Sequence, residues 1–153
     1  PIDSYSKYLE YPEIRQYLNE TIMPGWVEMV EKTKNIIRKG KEANDQINIL
    51  GDDGVPMSYH EIFWKSELVD FVILQQDAFD DIDALCPIER QKYMLELVMG
   101  ICDREFEFED FEECRKYFKE LINALRQMNY SIFKSERFYE YQEKLNNLLS
   151  NGK

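Results

Sequence analysis

Phe111, Cys114, Phe118, Leu121, Leu125 and Met128 recur at steps of three or four along the chain. A stripe of that period occupies one face of an α-helix, and the face must be buried against other elements. The same spacing runs through Trp26, Met29, Val30, Thr33 and Ile37. It returns in Ile62, Val69, Val72 and Ile73, in Met94, Leu97, Val98 and Ile101, and in Phe138, Tyr141, Leu145 and Leu148. Gly and Pro number only 6 and 5 in 153 residues, too few for a turn-dense β fold, and no strand-like alternation of useful length is evident. The expectation is an all-α single domain over residues 1–153, a bundle of about six helices with mostly antiparallel neighbours.

Punctuation places the elements. Residues 3–9 and 12–18 read as short helices, the second with Pro12 in its first turn. Pro24 and Gly25 open a longer helix, which Gly40 is expected to weaken before it resumes near Ile47 and ends at Gly51. Residues 51–58, Gly-Asp-Asp-Gly-Val-Pro-Met-Ser, form the clearest loop. Ser58 looks like an N-cap, with Glu61 completing a capping box, and the helix should run to about Gln76. A break over 77–87 leads to a helix with Pro87 in its first turn. Residues 103–113 hold seven carboxylates and one Arg. They read as a solvated connector followed by the negative first turn of the next helix.

Several chemistries are excluded. Asp and Glu total 30 against 19 Lys and Arg, a net charge of −11, so a phosphate backbone would repel the domain and nucleic acid is not expected as a partner. The longest near-continuous apolar run, residues 71–74, cannot span or insert into a bilayer, which needs about 20 residues. One histidine, His60, removes His-rich zinc sites and the two Glu-x-x-His pairs of di-iron bundles, so no metal site is expected. Its place in a first turn suggests a surface or capping role. No Gly-x-Ser-x-Gly, Gly-x-x-x-x-Gly-Lys-Ser/Thr or Gly-x-Gly-x-x-Gly motif occurs, so no catalytic residue is assigned. Cys86, Cys102 and Cys114 form no Cys-x-x-Cys pair and read as free structural thiols of a reducing compartment. The chain opens on Pro1, in what reads as the middle of an element, so a piece of a longer protein is expected.

One stretch is too particular for composition to explain. Asp70-Phe71-Val72-Ile73-Leu74-Gln75-Gln76-Asp77-Ala78-Phe79-Asp80-Asp81-Ile82-Asp83 is followed by Cys86-Pro87, Arg90-Gln91, Lys92 and Met94-Leu95. It resembles the C-terminal helical domain of the catalytic A subunit of V-type (vacuolar, archaeal and some bacterial) rotary ATPases. That family carries Phe-Leu-Gln-Gln-Asn-Ala-Phe-Asp-Glu-Val-Asp, then a Cys, then a Lys-Gln-like pair before a helix with Met-Leu. Ser4-Tyr5-Ser6-Lys7-Tyr8-Leu9, Trp26 and the segment from Ile47 to Gly51 are similar to further family features. Asp77 departs from the usual Asn, and Leu85 from a frequent aromatic. The likeness covers 1–102, while 103–153 reads as two extra or divergent helices.

The resemblance implies a fragment with no activity or cofactor of its own, whose parent subunit hydrolyses or synthesises ATP with Mg at a phosphate loop upstream. It implies that Phe79 contacts adenine, with Gln75 and Gln76 as polar neighbours. It also implies that the turn Asp52, Asp53, Gly54, Val55 and Pro56 touches the central rotor stalk, so that closure on nucleotide drives proton or sodium transport. The implied partners are the upstream nucleotide-binding domain of the same chain, neighbouring B subunits and the stalk. The implied location is the soluble head of the complex, cytoplasmic and peripheral to the membrane. The alternative from charge alone is a stand-alone acidic helical adaptor that binds a basic partner through the region from Asp103 to Glu113, with neutralisation of Glu107, Glu109 and Glu112 as its test.

Overall fold

The computed structural model describes residues 25–74 and 87–151. Five α-helices and no strand occur among them: α1 Trp26–Leu50, α2 Met57–Val69, α3 Pro87–Cys102, α4 Phe111–Tyr130 and α5 Glu136–Asn151. A 3-10 turn, Asp52–Gly54, joins α1 to α2, and a π-helical turn, Asp70–Leu74, extends α2. The all-α expectation holds, with five helices instead of about six. The short helices expected at 3–9 and 12–18 lie outside the described residues.

The apolar stripes meet in one core. Leu68, Val69 and Val72, Met94 and Val98, Phe118, Leu121, Leu125 and Met128, and Phe138 and Leu145 are all fully buried. Ile62, Leu97, Tyr141 and Leu148 are half-buried, and the side chain of Ile73 lies outside the described residues. Tyr93 of α3, Phe133 of the α4–α5 turn and Phe138 of α5 pack as a ring cluster with centroids 5.2–5.7 Å apart. The helices α1 and α2 form an antiparallel hairpin, and so do α4 and α5, where the Tyr117 hydroxyl donates to the Leu148 carbonyl at 3.0 Å. By contrast α2 and α4 run parallel: His60 stacks on Phe111 at their starts, and Asn129 reaches Val72 near their ends. Among the described residues, α3 lies between them in sequence and supplies the return.

Gly40 does not interrupt α1, contrary to the sequence expectation. It is a point of close approach to α2, where an added Cβ would overlap Cβ and Oγ of Ser66. The conformational cost of a helical glycine, about 1 kcal/mol relative to Ala, is offset by packing that only a residue without a side chain permits. The helix ends at Gly51, whose φ of 85° suits glycine and whose N–H donates to the Ile47 carbonyl at 2.7 Å.

Helix starts and ends are met in several ways. The side chain of Asp110 accepts from the Glu113 N–H, and Glu113 Oε2 accepts from the Glu109 N–H, both at 2.8 Å. Two members of the acidic run therefore build the start of α4. The capping box expected at Ser58 and Glu61 does not form. The N-cap of α2 is Pro56, without a side-chain bond, and Ser58 is exposed. Glu61 turns instead to Lys65 Nζ at 3.0 Å and to the backbone N–H of Phe106 at 3.3 Å.

That contact belongs to the connector 103–110. Its Glu105, Glu107 and Glu109 are exposed as expected, but Phe106 is buried and Phe108 half-buried between them. Both rings join Tyr117 and Phe118 of α4 at centroid distances of 5.4–6.1 Å. Lys65 donates to the Arg104 carbonyl at 2.6 Å and sits 5.5 Å from the Phe106 ring centre. The connector is thus fastened to α2.

Two predictions follow from this packing. Gly40→Ala should lower the stability of the chain by about 1–3 kcal/mol through overpacking, and adding Ser66→Gly should recover most of it; a Gly40→Ala protein more stable than the parent in thermal unfolding would refute the close approach. Burial pushes the thiols of Cys102 and Cys114 up to about 12 from the ordinary 9.0, with Glu61 and Glu113 adding to the shift of Cys114. The folded state favours the neutral thiol, so this contribution is full below about pH 9 and lost as pH rises toward about 12. Site-resolved alkylation near pH 8 should therefore be slow at both thiols until denaturant is added, and fast labelling of the native protein would contradict it.

Candidate functional site

The turn between α1 and α2 is a built tip. A helix of α1's length rises about 37 Å, and the tip stands at its end. After Gly51 the chain makes the 3-10 turn, with the Gly54 N–H donating to the Gly51 carbonyl at 3.1 Å, and Val55 and Pro56 are extended. The Tyr59 N–H donates to the Pro56 carbonyl at 3.0 Å. His60 Nε2–H donates to the Asp52 carbonyl at 2.8 Å, while its ring stacks on Phe111 with centroids 5.5 Å apart.

His60 is therefore not a surface or capping residue. It is 4% exposed, and it fastens the tip to the starts of α2 and α4. The bond to a carbonyl fixes the tautomer that carries the proton on Nε2.

The structure gathers all five of the expected tip residues. Asp52, Asp53, Gly54 and Pro56 are exposed and Val55 is half-buried. Beside them stand two residues that sequence reasoning passed over as a helix end. Ile49 is 73% exposed and Leu50 55%. For Ile49 the signal was in the pattern, since it falls out of step with the buried face formed by Val30, Thr33, Gly40 and Ala43; Leu50, seven residues after Ala43, keeps the step, and its exposure is legible only in the structure.

The second expected site, Gln75, Gln76 and Phe79, lies outside the described residues. Its flanks are described, and they meet. On the near side, Asn129 Nδ2 donates to the Val72 carbonyl in the π-helical turn at 2.9 Å. On the far side, the Arg90 guanidinium is buried at the C-terminal end of α4. Its Nη1 donates to the Ser131 carbonyl at 2.7 Å, and its Nη2 to the carbonyls of Met128, at 2.8 Å, and Asn129. Sequence reasoning assigned no role to Arg90 or Asn129. Asn129 announces itself as a polar residue on the buried stripe next to Met128, whereas Arg90 gives no such signal beyond its presence in the family-like segment.

Around the π-helical turn, burial first and then the charge of Asp70 raise the carboxyl of Glu67 above its ordinary value. Among the described residues no group of three His, Cys, Asp or Glu side chains could hold a metal ion, and no helix is long and apolar enough to cross a membrane. The carboxylates proposed for an adaptor surface are exposed, but Glu112 is paired with Arg115 at 3.1 Å.

Comparison with known sequences gives the family. The profile described as "C-terminal domain of V and A type ATP synthase" matches residues 15–118. The V-type ATP synthase alpha chain of Chlamydia pneumoniae is 38% identical over 97% of this chain, and that of Chlamydia abortus is 36% identical over the same share. The corresponding protein of Protochlamydia amoebophila is 33% identical over 90% of the chain. With 97% of the chain covered, the likeness extends past residue 102 through α4 and into α5. The chain spans about a quarter of the length of these relatives, 25% for the first. It belongs to the family of C-terminal domains of V- and A-type ATP synthases.

Proposed function

We propose that this chain is the part of an ATP-hydrolysing or ATP-synthesising catalytic subunit that closes over the adenine of bound nucleotide and passes that closure to a central rotor stalk. The observation that supports this reading best is the fastened, solvent-facing tip at the end of the longest helix. A lever needs such a contact point, stiff relative to the body behind it. His60, Gly51 and the 3-10 turn supply the stiffness. Alone the chain turns nothing over, since it carries no phosphate loop; ATP, ADP and Mg are held by the nucleotide-binding domain upstream in the same polypeptide. Neighbouring B subunits complete the ring, and the domain sits in the soluble head, on the cytoplasmic side and peripheral to the membrane. Ligand-driven hinge motion is the physical class of the step.

Magnitudes decide which tip residues carry the stalk contact. Exposed ion pairs from Asp52 and Asp53 contribute about 0–1 kcal/mol each and are screened by salt. Burying Ile49 and Leu50 against a partner contributes up to about 1.5–3 kcal/mol each. The apolar pair is the stronger handle, with the carboxylates selecting a basic surface around it. An acidic adaptor is the weaker reading, because Asp110 and Glu113 are engaged in starting α4 and the phenylalanines of the connector face inward.

Two measurements on the full subunit in its complex test this function. Phe79→Ala should raise the KM for ATP about five- to a hundredfold with kcat largely kept, the consequence of losing about 1–3 kcal/mol of ring stacking; an unchanged KM would end the adenine reading. Ile49→Ser with Leu50→Ser should uncouple ion transport from ATP turnover without lowering Tm, whereas Asp52→Asn with Asp53→Asn should have a small, salt-dependent effect. Full coupling in the Ile49/Leu50 double variant would remove the tip from the transmission path.

A further inference from the structure

We infer that the turn between α4 and α5 is a docking surface for an acidic, apolar-centred face on the preceding part of the same polypeptide. The inference rests on the reading of the chain as the C-terminal part of a longer catalytic subunit. Five large apolar or aromatic side chains stand exposed among the described residues. Ile49 and Leu50 are at the tip. The other three, Tyr130, Ile132 and Tyr139, fall within ten residues of sequence, and Ile132 is 67% exposed. Arg126, Lys134 and Arg137 are exposed in the same stretch. Tyrosines and arginines around an apolar residue are the composition of an interface core.

Ile132 is not exposed through looseness. The Ser131 carbonyl before it accepts from the buried Arg90 guanidinium at 2.7 Å. The Phe133 ring after it packs on Tyr93 and Phe138, with centroids 5.6 and 5.2 Å away. The Ile132 carbonyl accepts from the Ser135 N–H at 3.0 Å, and Ser135 Oγ accepts from the Phe138 N–H at 3.2 Å at the start of α5. Within this frame Lys134 holds a φ of 63°, a left-handed conformation that costs a residue with a side chain more than glycine. The backbone is thus fixed on both sides of a residue that buries little of itself in this chain.

Charge selects the chemistry of the occupant. From Arg126 to Tyr139 the chain carries three cations and one carboxylate, Glu136, against a net charge of −11 for the whole. A helix start favours carboxylates, yet Lys134 and Arg137 flank the first residue of α5. The patch therefore attracts an acidic protein surface. A polynucleotide or an anionic lipid surface carries the same sign, but it would also repel the surplus carboxylates of the rest of the chain. Position selects among proteins. The turn follows the end of α4 and so stands at the opposite end of the bundle from the tip, which His60 and Phe111 seat on the starts of α2 and α4. There α1, antiparallel to α2, begins. The chain spans about a quarter of the length of its relatives and matches a C-terminal domain, so the polypeptide that precedes α1 is the large surface joined to this end.

The experiment places the photo-reactive residue p-benzoylphenylalanine at position 132 of the full subunit in its assembled complex and identifies the cross-linked peptides by mass spectrometry. The expected result is an adduct on an acidic segment upstream of α1, in a subunit whose mass on a denaturing gel is unchanged. Its yield should fall at least about threefold when ionic strength is raised from about 0.1 to about 0.5 M, which shortens the screening length from roughly 10 to roughly 4 Å. Arg137→Glu should lower the yield similarly without lowering Tm, since a carboxylate suits the first turn of α5. An adduct on another subunit, a second copy of the chain or lipid overturns the inference, as does no adduct, or a yield that ignores either change. Should Arg137→Glu not assemble, the salt series on the parent decides. The contact is separable from those with adenine and the stalk. If Phe79→Ala and the Ile49/Leu50 double variant leave KM and coupling unchanged while the upstream adduct forms, those contacts fail and this one stands. If both variants act as expected and the adduct is absent, this one alone fails.

Discussion

A buried guanidinium organises the far end of this bundle. Arg90 lies almost wholly inside, and removing its charge from water carries a penalty of several kcal/mol. It is compensated by the C-terminal end of α4, where the last carbonyls have no intrahelical partner and the macrodipole is negative. Charge-assisted bonds of this kind contribute about 1.5–3 kcal/mol each, so the carbonyls of Met128, Asn129 and Ser131 together repay the desolvation. Removing one side of such an arrangement leaves the other side buried and unmet. The start of α3 and the end of α4 are consequently bound to each other by mutual need, and the turn into α5 is seated on the same point.

The same arrangement recurs elsewhere. None of the five described helices carries a Lys or Arg in its own last turn. The end of α5 is met by the Tyr117 hydroxyl on the Leu148 carbonyl and by Arg104 Nη2 on the Leu149 carbonyl at 2.9 Å. Lys65 of α2 reaches the Arg104 carbonyl just beyond α3. In a chain of net charge −11, cations drawn from other elements to helix ends and connectors tie those elements together. The surplus carboxylates stay on the outside, where solvent screens them.

The two candidate regions stand in opposite mechanical roles. The tip at Ile49 to Pro56 is exposed but stiffened from beneath by His60, suited to pushing on a partner. The cluster of Val72, Arg90 and Asn129 is buried and ties the end of α2 and the start of α3 to the end of α4. The fully buried residues of α2, α3 and α4 form one close-packed core.

Sequence alone determined the helical class, the start of α3 near Pro87, most of the buried stripes and the family likeness. All of these rest on local periodicity and on residues adjacent in the chain, which is the information a linear pattern carries. The tertiary structure decided what depends on partners distant in sequence. Gly40 is a contact point and not a weak link, because Ser66 lies against it. Glu61 serves the connector and not a capping box, because Phe106 arrives from 45 positions away. The alternation of Glu105, Phe106, Glu107, Phe108 and Glu109 was visible, but the charge obscured it until Tyr117 and Phe118 gave the rings a place to go. His60, Arg90 and Asn129 acquire their roles only when backbone carbonyls from other elements are brought within hydrogen-bond distance, and backbone acceptors leave no mark on the sequence.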